Sequence, residues 1–254
     1  MNGARTLRVI VVIPSRYASQ RLPGKPLADI GGVPMVVRVA KQARSAETVD
    51  DVCVATDDDR ILRAVEAAGI KAVMTSPACP SGSDRIAEAV RSLPKADIVV
   101  NLQGDEPLIP PAMIDQAVRP LLSDPAIEVG TLVKKIRTEE ELQNPSVTKV
   151  VLDVHRNCLY FSRAAIPCLR DADAGKWIGD GTWYKHIGLY VFRRDALFRF
   201  TSLPQMLLER VEKLEQLRIL EHGYRIHAEI TELESVAVDT AADLERVRAM
   251  VGAR

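Results

Sequence analysis

The sequence predicts an α/β fold in which helices cover both faces of a central, mostly parallel sheet. A continuous β-branched run at residues 9–13 is typical of a strand buried on both faces. From there to residue 102, short apolar runs alternate with segments whose apolar residues recur at helical spacing. We therefore expect three layers, with the sheet between two layers of helices.

The first half of the chain gives the clearest succession of elements. After the strand at 9–13 we expect helix 33–43, strand 51–55, helix 60–68, strand 71–75, helix 84–93 and strand 97–102. Ligands of open parallel sheets bind outside the carboxyl ends of the strands. The segments that follow residues 13, 55, 75 and 102 should therefore line one crevice.

The second half is less regular. Apolar runs at 129–136, 147–154, 158–162 and 187–192 predict strands that either pair as hairpins or extend the sheet. A loop rich in Asp and Gly occupies 170–184. Residues 1–254 contain no repeat, low-complexity stretch or linker, so we expect a single domain with a hairpin insertion at about 129–200.

Two helices are predicted near the end of the chain. A long amphipathic helix is expected over 205–221, because one apolar stripe is formed by Leu207, Val211, Leu214 and Leu217. A short strand at 235–238 should precede a last helix at 243–251. Asp239 or Thr240 can cap that helix.

Composition and charge exclude several classes of function. The chain has 34 basic and 34 acidic residues, so no long-range field attracts nucleic acid or an anionic membrane. The apolar run at 9–13 is too short for a secretory signal or a membrane span, and the four cysteines lack the spacing of a zinc site. We expect a cytoplasmic protein with free thiols.

A cluster of positive charge follows the first predicted strand. The loop at 15–26 carries Arg16, Arg21 and Lys25 beside Gly24, which lets the backbone approach a ligand closely. Arginine forks and a lysine ammonium are the donors that a triphosphate needs. The loop is therefore a candidate phosphate site, although a solvated surface loop is the alternative.

This loop resembles the signature of the cytidylyltransferases that activate 3-deoxy-manno-octulosonate (KDO) and, more loosely, of those that activate sialic acids. Arg16, Ser19 and the run Arg-Leu-Pro-Gly-Lys at 21–25 fill the pattern. Seven further runs match the same family in order, namely VATDDDRI at 54–61, SGSDR at 81–85, NLQGDEP at 101–107, YFSRAAIP at 160–167, KHIGLYVFR at 185–193, LEQLR at 214–218 and AVDTAADLERV at 237–247.

The resemblance implies a Rossmann-like nucleotidyltransferase fold and a Mg²⁺ site. Asp105, at the end of a buried strand, and Asp239, which by pattern alone is more simply a helix cap, would be the metal ligands. Mg²⁺ takes one or two carboxylates together with substrate phosphates, so such a pair is sufficient. Arg16, Lys25 and Asp105 would be catalytic.

The same resemblance assigns the substrate pockets. The nucleotide would be held by Arg16, Arg21, Gly24, Lys25, Thr75, Ser76, Ser81 and Gln103. The sugar would be held by Arg163, His186, Tyr190, Glu209, Glu212 and Gln216. By pattern alone, Ser81 suits a turn or a cap, His186 suits the core, and the two glutamates suit a solvated helix face.

The implied reaction transfers CMP from CTP to the anomeric hydroxyl of KDO for lipopolysaccharide or capsule synthesis, and relatives of this kind form homodimers through the second half. The residues leave open another acidic sugar, such as a sialic acid or 8-amino-KDO, and a non-catalytic nucleotide-binding regulator. A dinucleotide-binding reductase is disfavoured, because no GxGxxG follows the first strand.

Overall fold

A computed structural model describes residues 7–18, 22–171, 173, 177–179 and 181–252. The strands in these ranges are β1 Val9–Ser15, β2 Asp29–Ile30, β3 Val33–Pro34, β4 Asp51–Thr56, β5 Lys71–Met74, β6 Ile98–Asn101, β7 Val129–Lys135, β8 Lys149–Leu152, β9 Cys158–Ser162, β10 Tyr184–Arg193 and β11 His227–Ile230. The helices are α1 Met35–Arg44, α2 Asp59–Ala67, α3 Gly82–Ser92, α4 Pro111–Ser123, α5 Glu139–Gln143, α6 Arg194–Ser202, α7 Leu207–Glu212, α8 Leu217–Glu221 and α9 Ala241–Gly252.

The central sheet runs in the order β11-β7-β10-β6-β1-β4-β5. Strands β6, β1, β4 and β5 are parallel, as is the β11–β7 pair, whereas β10 runs antiparallel to both of its neighbours β6 and β7. The sheet is therefore mixed but mostly parallel. Strands β8 and β9 form a hairpin that pairs with the first residues of β10.

Helices cover both faces of this sheet because successive strand residues point to opposite sides. Val9, Val11 and Ile13 of β1 pack with α1, α2 and α4, whereas Ile10 and Val12 pack with α3, α6 and α8. All five of these side chains are almost fully buried. The predicted three-layer α/β architecture is confirmed.

The predicted helix over 205–221 is wrong as a single element. Lys213 adopts a left-handed conformation with φ 55°, which ends α7, and α8 begins at Leu217. The break lets Glu209 of α7 meet Arg218 of α8 through two hydrogen bonds of 2.7 and 2.6 Å. It also divides the predicted stripe, because Val211 is exposed while Leu217 is fully buried.

Other differences concern elements that form through distant contacts. The predicted strand at 235–238 does not form, whereas α4, α6 and β11 were not predicted. The last helix is confirmed, with Thr240 as its cap: the Thr240 hydroxyl accepts from the Asp243 backbone N–H, and Asp243 accepts in return from that of Thr240. Among the described residues, no helix is long and apolar enough to cross a membrane.

Candidate active site

A cleft of 540 Å³ lies at the carboxyl edge of the sheet, as the strand order predicts. Strands β1 and β6 are direct neighbours, so the loops that follow them meet there. Its lining comes from the end of β1 and the loop after it, the start of α3 and the loop after β6, namely Pro14, Ser15, Arg16, Ala18, Lys25, Pro26, Gly82, Arg85, Gln103, Gly104 and Asp105.

Gly104 brings the two loops into contact. A Cβ atom at this position would lie 2.9 Å from the Ser15 hydroxyl oxygen and 3.3 Å from the Pro14 carbonyl oxygen. The first distance is closer than real Cβ contacts, so a side chain here would force the Ser15 hydroxyl to move, and the second leaves little room against the backbone. The glycine therefore lets the loop that carries Asp105 lie close to the end of β1.

Two aspartates from distant parts of the chain meet at one lysine beside the cleft. The Lys25 ammonium donates to Asp105 Oδ2 at 2.7 Å and to Asp239 Oδ1 at 3.3 Å. The Lys25 side chain is 14% exposed, so this convergence is partly shielded from water. The two carboxylates are therefore close enough to share the single positive charge of the Lys25 ammonium.

Backbone and side-chain contacts hold the two aspartates together. The Val238 N–H donates to the Asp105 carbonyl oxygen at 2.9 Å, and the Ser235 hydroxyl donates to Glu106. Burial raises the pKa of Glu106, and the neighbouring Asp105 and Asp239 charges raise it further. The extended segment before α9 is therefore attached to the loop after β6, which is why distant aspartates become neighbours.

This pair of carboxylates suits a magnesium ion. Within the part of the chain that the structure describes, no group of three or more His, Cys, Asp or Glu side chains could hold a metal by itself. A divalent cation bound by Asp105 and Asp239 would need further oxygen ligands from phosphates and water, which is the coordination that Mg²⁺ accepts. The donor set fits the predicted metal.

The side of the cleft next to α3 is organised by a buried arginine. Arg85 is 1% exposed and donates to the Thr75 hydroxyl at 2.6 Å and to Asp57 at 2.7 Å. The Thr75 hydroxyl donates in turn to the Thr56 carbonyl oxygen. The Ser76 N–H donates to Glu88. Thr75 is therefore linked to the cleft wall through Arg85, whereas Ser76 borders a separate depression with Glu88, and neither residue lines the cleft.

A chain of polar groups leads from the cleft towards the second half of the protein. The Gln103 amide donates to Asn101 at 2.9 Å, and the Asn101 amide donates to the Ser83 hydroxyl at 3.3 Å. Ser83 borders a small cavity with Tyr190, Glu215 and Gln216, among others. Polar contacts therefore connect the cleft to the region predicted to hold the sugar.

Glu215 is an acidic group in this small cavity. Its carboxylate accepts from the Ser81 hydroxyl at 2.7 Å, and Ser81 also caps α3 by accepting from the Asp84 N–H. Burial raises the pKa of Glu215, although the Ser81 hydrogen bond and the Arg218 charge act in the opposite direction. Ser81 thus links the start of α3 to the α7–α8 region.

The remaining predicted sugar residues make extensive contacts within the protein. The Arg163 guanidinium donates to the backbone oxygens of Glu212 at 2.8 Å and Pro145 at 3.1 Å. The Glu212 carboxylate accepts from the Ser162 hydroxyl and from the Arg163 N–H. Arg163 and Glu212 together attach α7 to the end of β9.

His186 lies among aromatic rings on β10. Its ring is 5.1 Å from those of Phe161 and Tyr190, and its Nε2 is 2.9 Å from the Thr131 hydroxyl. Burial lowers the pKa of His186 to about 3, so the ring is neutral at neutral pH. His186 is therefore a neutral hydrogen-bonding group and not a cation.

Comparison with known proteins decides the family. A family model described as cytidylyltransferase matches residues 10–227. The 3-deoxy-manno-octulosonate cytidylyltransferases of Chloroherpeton thalassium and Geobacter sulfurreducens are 49% and 50% identical to this chain, over 96% and 95% of its length and 98% of theirs. The chain belongs to the 3-deoxy-manno-octulosonate cytidylyltransferase family.

A solved structure supports the same family at the level of the fold. The structure of CMP:2-keto-3-deoxy-manno-octonic acid synthetase complexed with CTP matches with a TM-score of 0.90 at 42% identity, over 97% of this chain and 99% of that one. Family membership confirms the resemblance that the sequence motifs carried. It also confirms the nucleotidyltransferase fold and the class of enzyme, a cytidylyltransferase.

In this cytidylyltransferase the structure brings together part of the predicted site. Arg16, Lys25, Gln103 and Asp105 line one cleft, and Asp239 joins them through Lys25. Gly24 lies directly before Lys25 with φ 68°, a conformation that side chains rarely adopt. Arg21 lies outside the described residues.

The predicted sugar residues do not line that cleft. Tyr190 and Gln216 border the small cavity, whereas Arg163, Glu209 and Glu212 are engaged in contacts around α7. The roles assigned to all six, including His186, stay predictions.

Sequence reasoning missed some residues that the fold places at the site. Arg85 lies in the cleft wall, Glu106 beside the aspartate pair, and Glu215 in the small cavity. All three stand inside the runs that carried the family resemblance. Their burial, which distinguishes them from surface charges, depends on contacts between distant elements.

Proposed function

We propose that this chain transfers CMP from CTP to the anomeric hydroxyl of KDO and releases pyrophosphate. The observation that carries the proposal is the convergence of Asp105 and Asp239 on the Lys25 ammonium, beside a cleft that Arg16 also lines. The curated relatives, which share about half of their residues with this chain, bear the name of this activity.

The positive side chains bind the leaving group in this proposal. Arg16 and Lys25, with Arg21 from the same loop, hold the β- and γ-phosphates while the anomeric oxygen bonds to the α-phosphorus. The bond between the α-phosphorus and the pyrophosphate oxygen breaks, and the proton of the anomeric hydroxyl passes to water. These cations neutralise the charge that grows on the departing pyrophosphate. No covalent intermediate on the enzyme is required.

The acidic side chains hold the metal. Asp105 and Asp239 would bind Mg²⁺, and Lys25 would then turn from these carboxylates to the triphosphate. When bound, Mg²⁺ supplies charge neutralisation at the triphosphate and polarises the phosphoryl group. The structural reason for the pair is geometric, because the Val238 N–H and Ser235 fix the aspartate-bearing segments against each other.

Tyr190 and Gln216 are the predicted sugar-binding residues that lie nearest to the cleft along the hydrogen-bonded chain that starts at Gln103, because both border the small cavity beside Ser83, and Asn101 links Ser83 to Gln103. This cavity, with a volume of about 10 Å³, would have to widen to admit a sugar. In this proposal Arg163 and Glu212 support the pocket by fixing α7 against β9.

A coupled pyrophosphate assay tests the function. The protein is mixed with Mg²⁺, each of the four ribonucleoside triphosphates and a panel containing KDO, 8-amino-KDO and a sialic acid. We expect pyrophosphate with CTP and KDO. Preference for another acidic sugar would replace the proposed acceptor, and CTP binding without any pyrophosphate would indicate a regulator.

Replacing Lys25 with alanine should raise the CTP concentration for half-saturation by about tenfold, because a charge-assisted phosphate contact is lost. The maximal rate should fall less. Initial rates at varied CTP and saturating sugar measure both quantities. Lys95→Ala, on an exposed position away from the cleft, is the control. An unchanged half-saturation for CTP would contradict the role of Lys25.

We also propose that the protein forms a homodimer through its second half. Val154 and Leu159 of the β8–β9 hairpin are 93% and 59% exposed, and Leu207 and Val211 of α7 are 61% and 70% exposed. Apolar side chains at such exposure suit an interface. Sedimentation equilibrium should give twice the mass of the monomer. The double variant Leu159→Glu, Val211→Glu should give the mass of the monomer.

A further inference from the structure

The loop after β1, which carries Arg16 and Lys25, contacts the start of α2 through the ring of Tyr17. Strands β1 and β4 are parallel neighbours, and Ser15 at the end of β1 stands opposite Thr56 at the end of β4. The loop after β1 carries Arg16 and Lys25, and the loop after β4 leads into α2. These two connections therefore emerge side by side.

Tyr17 fills the space between them. Its ring packs partly into the core beneath the sheet, and its backbone oxygen accepts from the Gly24 N–H at 3.3 Å. A Cβ atom on Gly24 would lie 3.2 Å from the Tyr17 hydroxyl oxygen. The Tyr17 ring thus packs against Gly24, the residue directly before Lys25.

Arg60 covers the other side of this ring. Its guanidinium carbon lies 3.3 Å from the centre of the Tyr17 ring, which is stacking distance for a cation over an aromatic face. Arg60 is half-exposed, so contact with the ring alone would not fix its rotamer.

Asp58 supplies that restraint. Its carboxylate accepts from the Arg60 Nε at 3.0 Å and from an Arg60 Nη at 2.7 Å, and it also accepts from the Arg60 backbone N–H as the cap of α2. The fork geometry holds the guanidinium plane in one orientation. The helix start, the guanidinium and the aromatic ring therefore form one connected stack against the loop.

We propose that Arg60, held by Asp58, is a positioning residue that keeps Tyr17, and through it residues 16–18 and 22–25, in the conformation that binds the triphosphate. The inference rests on the proposed function, in which Arg16 and Lys25 bind CTP. Arg60 does not line the cleft and acts through Tyr17. The phosphate contacts then form without the loop having to be ordered at the moment of binding, which lowers the cost of binding.

The first test is kinetic. Arg60→Ala should raise the half-saturation for CTP by about fivefold, the scale of one exposed cation–π contact, with the maximal rate and the half-saturation for the sugar nearly unchanged. Tyr17→Phe keeps the ring and should behave like the wild type. Arg63→Ala is the matched control, because this arginine lies on the same helix and its side chain is 78% exposed.

A double-mutant cycle separates positioning from direct phosphate binding. If Arg60 acts through the ring, then adding Arg60→Ala to Tyr17→Leu changes the CTP half-saturation no further. Fully additive effects of the two substitutions would overturn the proposal and indicate that Arg60 binds phosphate itself.

Hydrogen exchange provides a readout that does not need activity. In the free protein, amides of residues 16–18 and 22–25 should exchange faster in Arg60→Ala than in the wild type or in Arg63→Ala. Unchanged exchange together with unchanged CTP half-saturation would refute the positioning role. If the wild type makes no CMP product, the proposed function fails, yet the exchange result still decides whether Arg60 orders the loop.

Discussion

Replacing Asp105 with asparagine is expected to lower the turnover number by about a hundredfold or more, the scale of losing one preorganised electrostatic partner. Asparagine preserves the size and one acceptor oxygen of the side chain but removes its charge. The carboxylate that accepts from Lys25 at 2.7 Å would be lost, and with it one of the two proposed ligands of Mg²⁺. Pyrophosphate release at saturating CTP, sugar and Mg²⁺ measures the effect.

Two comparisons make this result specific to the metal site. Asp239→Asn should cause a loss of similar kind. The double variant should be far less active than the wild type but little worse than the poorer single variant, because the two residues act as a unit. Asp59→Asn, on a side chain that is 68% exposed, should be fully active. Near-normal pyrophosphate release by Asp105→Asn would remove this residue from the mechanism.

The first half of the fold is predictable from sequence because its elements are specified locally. Continuous β-branched runs mark β1, β4 and β6, and the helices between them have apolar residues at helical spacing. A parallel sheet then determines that the loops after these strands share one edge. This is why the cleft residues Arg16, Lys25 and Asp105 could be expected together.

The second half is less predictable because distant contacts decide its structure. Strand β10 inserts between β6 and β7 and runs antiparallel to both, which no local pattern specifies. The apolar stripe over 205–221 predicts one helix, but the chain breaks at Lys213. The break is stabilised because α8 folds back and brings Arg218 to Glu209. Tertiary contacts override helix propensity in such cases.

The candidate site shows the same division. Residue types and strand ends indicate Asp105, but by pattern Asp239 is a helix cap. In the structure the cap is Thr240, and the neighbouring aspartate faces Lys25. The family resemblance supplied this pairing, and the contact between Val238 and Asp105 explains it physically. Arg85 and Glu215 were not predicted as site residues, because the sequence does not distinguish a buried charged side chain from an exposed one.

Replacing Arg218 with methionine is expected to destabilise the protein by about 3–5 kcal/mol, the cost of leaving one partner of a buried ion pair without its counter-charge. The Arg218 and Glu209 side chains are 5% and 6% exposed, and their two hydrogen bonds bridge the break between α7 and α8. Urea unfolding followed by circular dichroism measures the free energy of unfolding.

Adding Glu209→Gln to Arg218→Met should recover much of this loss, because the Glu209 charge is no longer left buried without its partner. The recovered protein then tests the predicted role of Glu209 in sugar binding. Both Glu209 oxygens already accept from Arg218, and one accepts also from Gln205 at 3.0 Å. We therefore expect the stable double variant to keep the sugar half-saturation within about twofold, less than one lost hydrogen bond to a charged group would cost. A tenfold rise in a folded double variant would instead place the Glu209 carboxylate in contact with the sugar, since the loss could no longer be attributed to an unpaired charge.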